Sequence, residues 1–177
     1  MSKRFFIALL ATFTTAIASA QYKPTDQGSS LQFTVKNFGF DVTGSFKGLD
    51  GNITFDPANA TASAFDVTLD ASSVNTDNSL RDGHLREDSY FDVKHYPRIH
   101  FVSTQVSGKN GTYKITGNLT IKKTTKVISF PFTAGASNDG YLFKGSFTIK
   151  RKDFDVGGTS TISNELTVAL NIAARKS

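Results

Sequence analysis

Apolar and polar residues alternate with a period of two through most of this sequence, in short runs bounded by Gly, Asn and Asp. That is the signature of strands with one buried face. Leu31, Phe33 and Val35 alternate with Gln32, Thr34 and Lys36. Phe65, Val67 and Leu69 alternate with Asp66, Thr68 and Asp70, so Val67 is predicted on the apolar face and Thr68 on the polar one. Leu166, Val168, Leu170 and Ile172 continue the theme, as do shorter runs at Ile53 and Phe55, Ile99 and Phe101, Tyr113 and Ile115, Leu119 and Ile121, Ile128 to Phe132, Tyr141 and Phe143, and Phe147 and Ile149. The runs predict strands of roughly six to eight residues. Asp50-Gly51, Asn110-Gly111 and Asp139-Gly140 are hairpin-type dipeptides. No helical crossovers separate the runs, so the sheet is predicted to be antiparallel, with roughly eight to ten strands. Gly44, Gly117 and Gly145 fall inside runs, where they permit the bends that closing a barrel requires. Such strands can close into a barrel or stack as a sandwich, which also tolerates the glycines; the barrel is favoured, and the fold class expected is all-β, an antiparallel barrel of about eight strands with one short helix.

The helix is the segment that breaks the alternation. Asn78 to Asp88 reads as a short helix capped by Asn78 or Ser79, with Asp82 one turn before Arg86 and Gly83 weakening the middle. Arg81, Asp82 and His84 sit in it, and the expectation is a polar cluster that holds the helix across the barrel mouth. A transmembrane barrel would show the same alternation turned inside out. Strands this short, and a C-terminus without an aromatic girdle, argue against it.

The first twenty residues do not belong to the fold. Lys3-Arg4, an apolar run from Phe5 to Ala18, and Ala18-Ser19-Ala20 form a secretory signal with cleavage after Ala20. A single mature domain, 21–177, in a periplasmic or secreted setting is expected. The absence of Cys fits a bacterial periplasm and excludes disulfide scaffolds, thiol nucleophiles and zinc ribbons. The aromatic content is lopsided: 16 Phe and 5 Tyr against no Trp, which predicts a Phe-rich interior.

Charge is unevenly placed. Residues 21–93 carry 5 basic and 11 acidic side chains, whereas 94–152 carry 11 and 1. Cross-strand pairing of the two halves is one reading. The other is a basic patch of Lys122, Lys123, Lys126, Lys150, Arg151 and Lys152 in transient contact with an anionic membrane surface. Nucleic acid is not expected as a partner of an exported chain whose lysines lack interleaved aromatics. Only His84, His95 and His100 could supply imidazole, without metal-binding spacing, so no metal or other cofactor is expected. No Gly-x-Ser-x-Gly elbow is present, and no catalytic residue is assigned.

Arg81-Asp82-Gly83-His84-Leu85-Arg86, then Tyr90-Phe91-Asp92 and Tyr96-Pro97-Arg98-Ile99-His100-Phe101, then Gly117-Asn118-Leu119-Thr120-Ile121 and Arg151-Lys152-Asp153-Phe154, follow one another in an order and spacing that resembles the YceI-like family over roughly 24–174. The resemblance implies an exported lipocalin-like barrel that binds polyisoprenoids or other long-chain amphiphiles without covalent chemistry. Asn37 stands where that family often has His, Lys123 and Asp155 where it has Gly, and Gly28 to Ser30 where it has a His-Ser pair. In a barrel of this size the apolar lumen would be lined by Phe33, Val35, Phe55, Phe65, Val67, Phe101, Phe130, Phe132, Phe143 and Phe147. Arg81, Asp82 and His84 would be available to a polar headgroup at the mouth. Two other readings stand beside this one: a barrel filled by its own Phe that presents a partner-binding face, and an enzyme acting on an amphiphile through Asp82 and His84.

Overall fold

The computed structural model describes residues 20–177; the signal segment lies outside them except for Ala20. Eight antiparallel strands run in sequence order and close on themselves: β1 (Gln21–Asn37), β2 (Phe40–Thr54), β3 (Ala64–Asn75), β4 (Arg98–Lys109), β5 (Thr112–Ile121), β6 (Thr124–Ser137), β7 (Gly140–Lys150) and β8 (Ile162–Lys176). Closure is made by β1 against β8, where Phe33 faces Val168 and Val35 faces Leu166. One helix, α1 (Ser79–Arg86), and short 3-10 turns at Ala60–Ala62 and Arg151–Phe154 complete the described chain. On β5, Tyr113, Ile115, Gly117, Leu119 and Ile121 are all buried, and Lys114, Thr116 and Asn118 lie on the other face. Apolar alternates therefore point into the barrel and polar ones away from it, the reverse of a barrel whose outer band meets lipid.

The strands span 10 to 17 residues, longer than the six to eight that the alternation predicts. Glycines account for part of the difference, because each looks like a break but keeps the phase of its strand. A Cβ at Gly117 would come within 2.5 Å of the Phe101 ring, and one at Gly44 within 2.3 Å of the Phe33 ring. Each glycine leaves the place that a neighbouring strand's ring fills. Bulges account for the rest. The β1–β8 register shifts between Thr25 and Ser30, and β2–β3 shifts between Lys47 and Asp50. Asp50-Gly51 is consequently not a hairpin: Gly51 lies inside β2 opposite Val67, with φ +132. Asn110-Gly111 does turn β4 into β5, and Gly140 opens β7 after a turn at Asn138 and Asp139.

The longest break in the β1–β2 ladder is bridged by a side chain. Pairing of β1 with β2 jumps from Tyr22↔Ile53 to Leu31↔Phe46. Across the gap the Asp26 carboxylate accepts from the Gly48 and Leu49 amides at 2.9 and 3.1 Å, so a side chain does there what a backbone ladder does elsewhere.

Candidate functional site

The barrel interior divides along its axis. At the end where β2 finishes and β3 starts, the aromatic rings close the lumen. Phe55, 1% exposed, sits 5.3 Å from Tyr113, 4.9 Å from Tyr141 and 5.1 Å from Phe143, all edge-on. Such contacts favour the ring edges and fill space without voids. Tyr141 also lies 5.3 Å from Tyr22, and burial, followed by the neighbouring Tyr22, Tyr113 and Asp56, raises its phenol above the ordinary value.

Above that plug the Phe do not fill the barrel. A lower chamber of about 130 Å³ is lined by Phe65, Val67, Phe101, Phe130, Phe132 and Phe143, among others. An upper chamber of about 150 Å³ is lined on the strands by Phe33, Val35, Val42, Phe46, Ile149 and Leu166. Leu31, Leu69, Ile99, Leu119 and Phe147 line both, so the two chambers adjoin along the barrel axis at a shared waist of apolar side chains. Phe147 is fixed there by stacking on Phe130 at 4.5 Å. Nine of the ten expected lumen residues thus line the chambers. The tenth, Phe55, does not: β2 ends at Thr54, and the ring folds under the barrel as part of the plug. Thr68 also departs from expectation. It touches the lower chamber, opposite the bulge where β2 carries Asp50 against it.

The helix caps the other end. Asn78 accepts from the Arg81 amide at 3.0 Å and is the N-cap, one of the two candidates that the sequence offers, and Leu85 reaches into the upper chamber beside Tyr90 and Phe91. Asp82 is 6% exposed, and its Oδ1 accepts from the Thr76 amide and the Thr76 hydroxyl. Arg81 converges on the same residue: Nε donates to Thr76 Oγ1 and Nη2 to the Thr76 carbonyl, both at 2.7 Å. Thr76 itself lines the upper chamber, so this cluster pins α1 to the end of β3 at the chamber wall. His84 does not join it. The imidazole is exposed, and the third polar tether is Arg86, which donates to the Ser72 and Val74 carbonyls.

Arg151 is the residue that sequence reasoning misplaced most. It is 4% exposed rather than part of a basic surface. Its guanidinium donates to the carbonyls of Val156, Gly157, Gly158, Ile162 and Ser163 and to Ser160 Oγ, gathering the 155–162 loop around itself beside the upper chamber. Lys122 is likewise tied down, donating to the Asp88 and Asp155 carbonyls. Asp155, where the resembling family has Gly, has φ 55, a left-handed backbone that Asp tolerates better than bulkier residues. His95 and His100 pair with Asp92 and Asp66, each at 2.7 Å. Among the described residues no three His or carboxylate side chains gather as a metal site.

Comparison with known proteins gives a consistent picture. Residues 22–174 match the family model described as the YceI-like domain. A UPF0312 protein of Pectobacterium carotovorum is 33% identical over 96% of this chain and 94% of its own length. A UPF0312 protein of Yersinia pestis is 35% identical over 84% and 82%. Burkholderia cenocepacia BcnA is similar in structure with a TM-score of 0.77 and 27% identity, covering 81% of this chain and 94% of that one. A polyisoprenoid binding domain from Saccharophagus degradans has a TM-score of 0.73 over 88% of this chain and 98% of that one, and at 17% identity the likeness is one of fold.

Proposed function

This chain belongs to the YceI-like domain family, and from that premise we propose that it binds the tail of a long-chain amphiphile, of polyisoprenoid or fatty-acyl type, in the two-chambered lumen. The observation that carries this reading is the pair of adjoining chambers: apolar, closed at one end by an aromatic plug, and of about 130 and 150 Å³. Apolar cavities of ~150 Å³ take a molecule of benzene size, so the two chambers together suit a single tail of roughly ten to twelve carbons. Burial there gains ~0.8 kcal/mol per methylene, or about fourfold in affinity for each carbon until the chambers are full. A domain of the same fold is a polyisoprenoid binding domain, which fits a ligand that is long, thin and apolar.

Binding without covalent change is the reading favoured for the Arg81, Thr76 and Asp82 cluster. The Asp82 oxygen that faces Thr76 is occupied by the Thr76 amide and hydroxyl, and His84 is exposed to solvent. The signal segment supports export to the periplasm and a mature chain that begins at Gln21. Native mass spectrometry of protein recovered from the periplasm without detergent tests both statements. The expected result is the mass of residues 21–177 plus one defined apolar passenger, unchanged on incubation. A bare chain that also fails to take up added decyl or dodecyl amphiphiles would contradict the binding reading, and turnover of the passenger would favour the enzymatic one.

A further inference from the structure

The register of the strands places the β1–β2 turn, α1, the β5–β6 turn and the 155–161 loop at one end of the barrel, around the upper chamber. At this end Phe38 and Phe40 are 73% and 77% exposed, two of the four large apolar side chains exposed among the described residues. Neither ring is explained by folding. Phe38 and Gly39 have φ 51 and 84, a turn that Asn-Gly makes easily and that an aromatic at the first position makes at a steric cost. Phe40 shares the inward phase of Val42, Gly44 and Phe46, so along β2 the apolar lining of the upper chamber continues to the rim, where Asn37 of β1 lies across from it. Val35 and Val42 face each other across the β1–β2 ladder, both half-buried, between the chamber and that ring.

We propose that this end docks on the surface of a lipid bilayer, with Phe38 and Phe40 inserted among the acyl chains so that a tail can pass along Phe40, Val42 and Val35 into the upper chamber. The proposal rests on the tail-binding reading above. Continuity of the exposed rings with the chamber singles out a bilayer, because it is the source of tails. Charge does not select the surface: Lys123, Lys126, Lys150 and Lys152 are exposed at the same end, against the exposed Asp77, Glu87, Asp88, Asp153, Asp155 and Glu165, the last paired across the ladder with Lys150. Lys36 is neutralised by Asp41 at 2.9 Å. The exposed charges give no positive surplus, so insertion of the rings carries the attachment.

The chain has no Trp, so Phe40→Trp supplies a single indole reporter. With phosphatidylcholine vesicles containing about a quarter phosphatidylglycerol, its emission is expected to shift to the blue and to be quenched by lipids brominated on their acyl chains, mostly surviving added salt. Phe38→Ser is expected to melt like the parent, to lose about tenfold in vesicle affinity, and to bind monomeric dodecyl amphiphile in solution as the parent does. An indole that does not respond to vesicles would overturn the proposal. So would a blue shift that grows with protein concentration in their absence, since a second copy would then cover the tip. Amphiphile binding by the parent, read without vesicles, judges the lumen separately.

Discussion

Asp82 and His84 stand two residues apart in one motif, yet the structure gives them opposite weights. Replacing Asp82 with Ala leaves the Thr76 amide and hydroxyl without their acceptor in a buried place, which costs about 1–3 kcal/mol. Replacing the exposed His84 with Ala is expected to change stability by less than about 0.5 kcal/mol. Thermal melts of the two variants check this, and equal melting would contradict the architectural role given to Asp82. The sequence shows that charges cluster here and places Asp82 on a short helix, but the direction of a side chain depends on what packs against the helix. Arg151 makes the same point. Beside Lys150 and Lys152 it reads as a surface cation, and only the return of the 155–162 loop surrounds it with carbonyls.

Strand phase was legible from the alternation, as was the start of α1; strand length was not. The apolar stripe of β5 survives Gly117 because the Phe101 ring of β4 lies over it, a compensation made by a different strand and invisible locally. Two glycine substitutions should therefore act in opposite directions. At Gly83 a Cβ meets nothing within 4 Å, and Gly83→Ala is expected to stabilise α1 by about 0.5–1 kcal/mol. Gly117→Val drives a side chain into the Phe101 ring and the Val102 carbonyl, and is expected to cost about 1–3 kcal/mol. Denaturant midpoints of both variants measure the signs. The bulges of β1 and β2, with the Asp26 contact that spans the break between them, had no local signal beyond irregular phase in the stretch from Tyr22 to Ser30.

Over the whole barrel, period-two alternation allowed a barrel or a sandwich, the glycines inside the runs favoured closure, and the abundance of Phe implied an aromatic interior. Whether that interior was full could not be read from either, because filling is a sum over eight strands. Many of the rings are spent at one end, in the plug around Phe55, and the chambers above it are left unfilled. Leu119 lies at the waist and lines both chambers, while Lys114 on the same strand faces outward and is exposed. Calorimetric titration with a dodecyl amphiphile below its micelle concentration, on the parent, Leu119→Trp and Lys114→Trp, addresses the chambers most directly. The parent and Lys114→Trp should each bind one molecule with similar affinity, and Leu119→Trp, folded by its melting curve, should lose at least about tenfold because the indole occupies the space of the tail. Equal affinity in all three proteins would place the ligand outside the lumen.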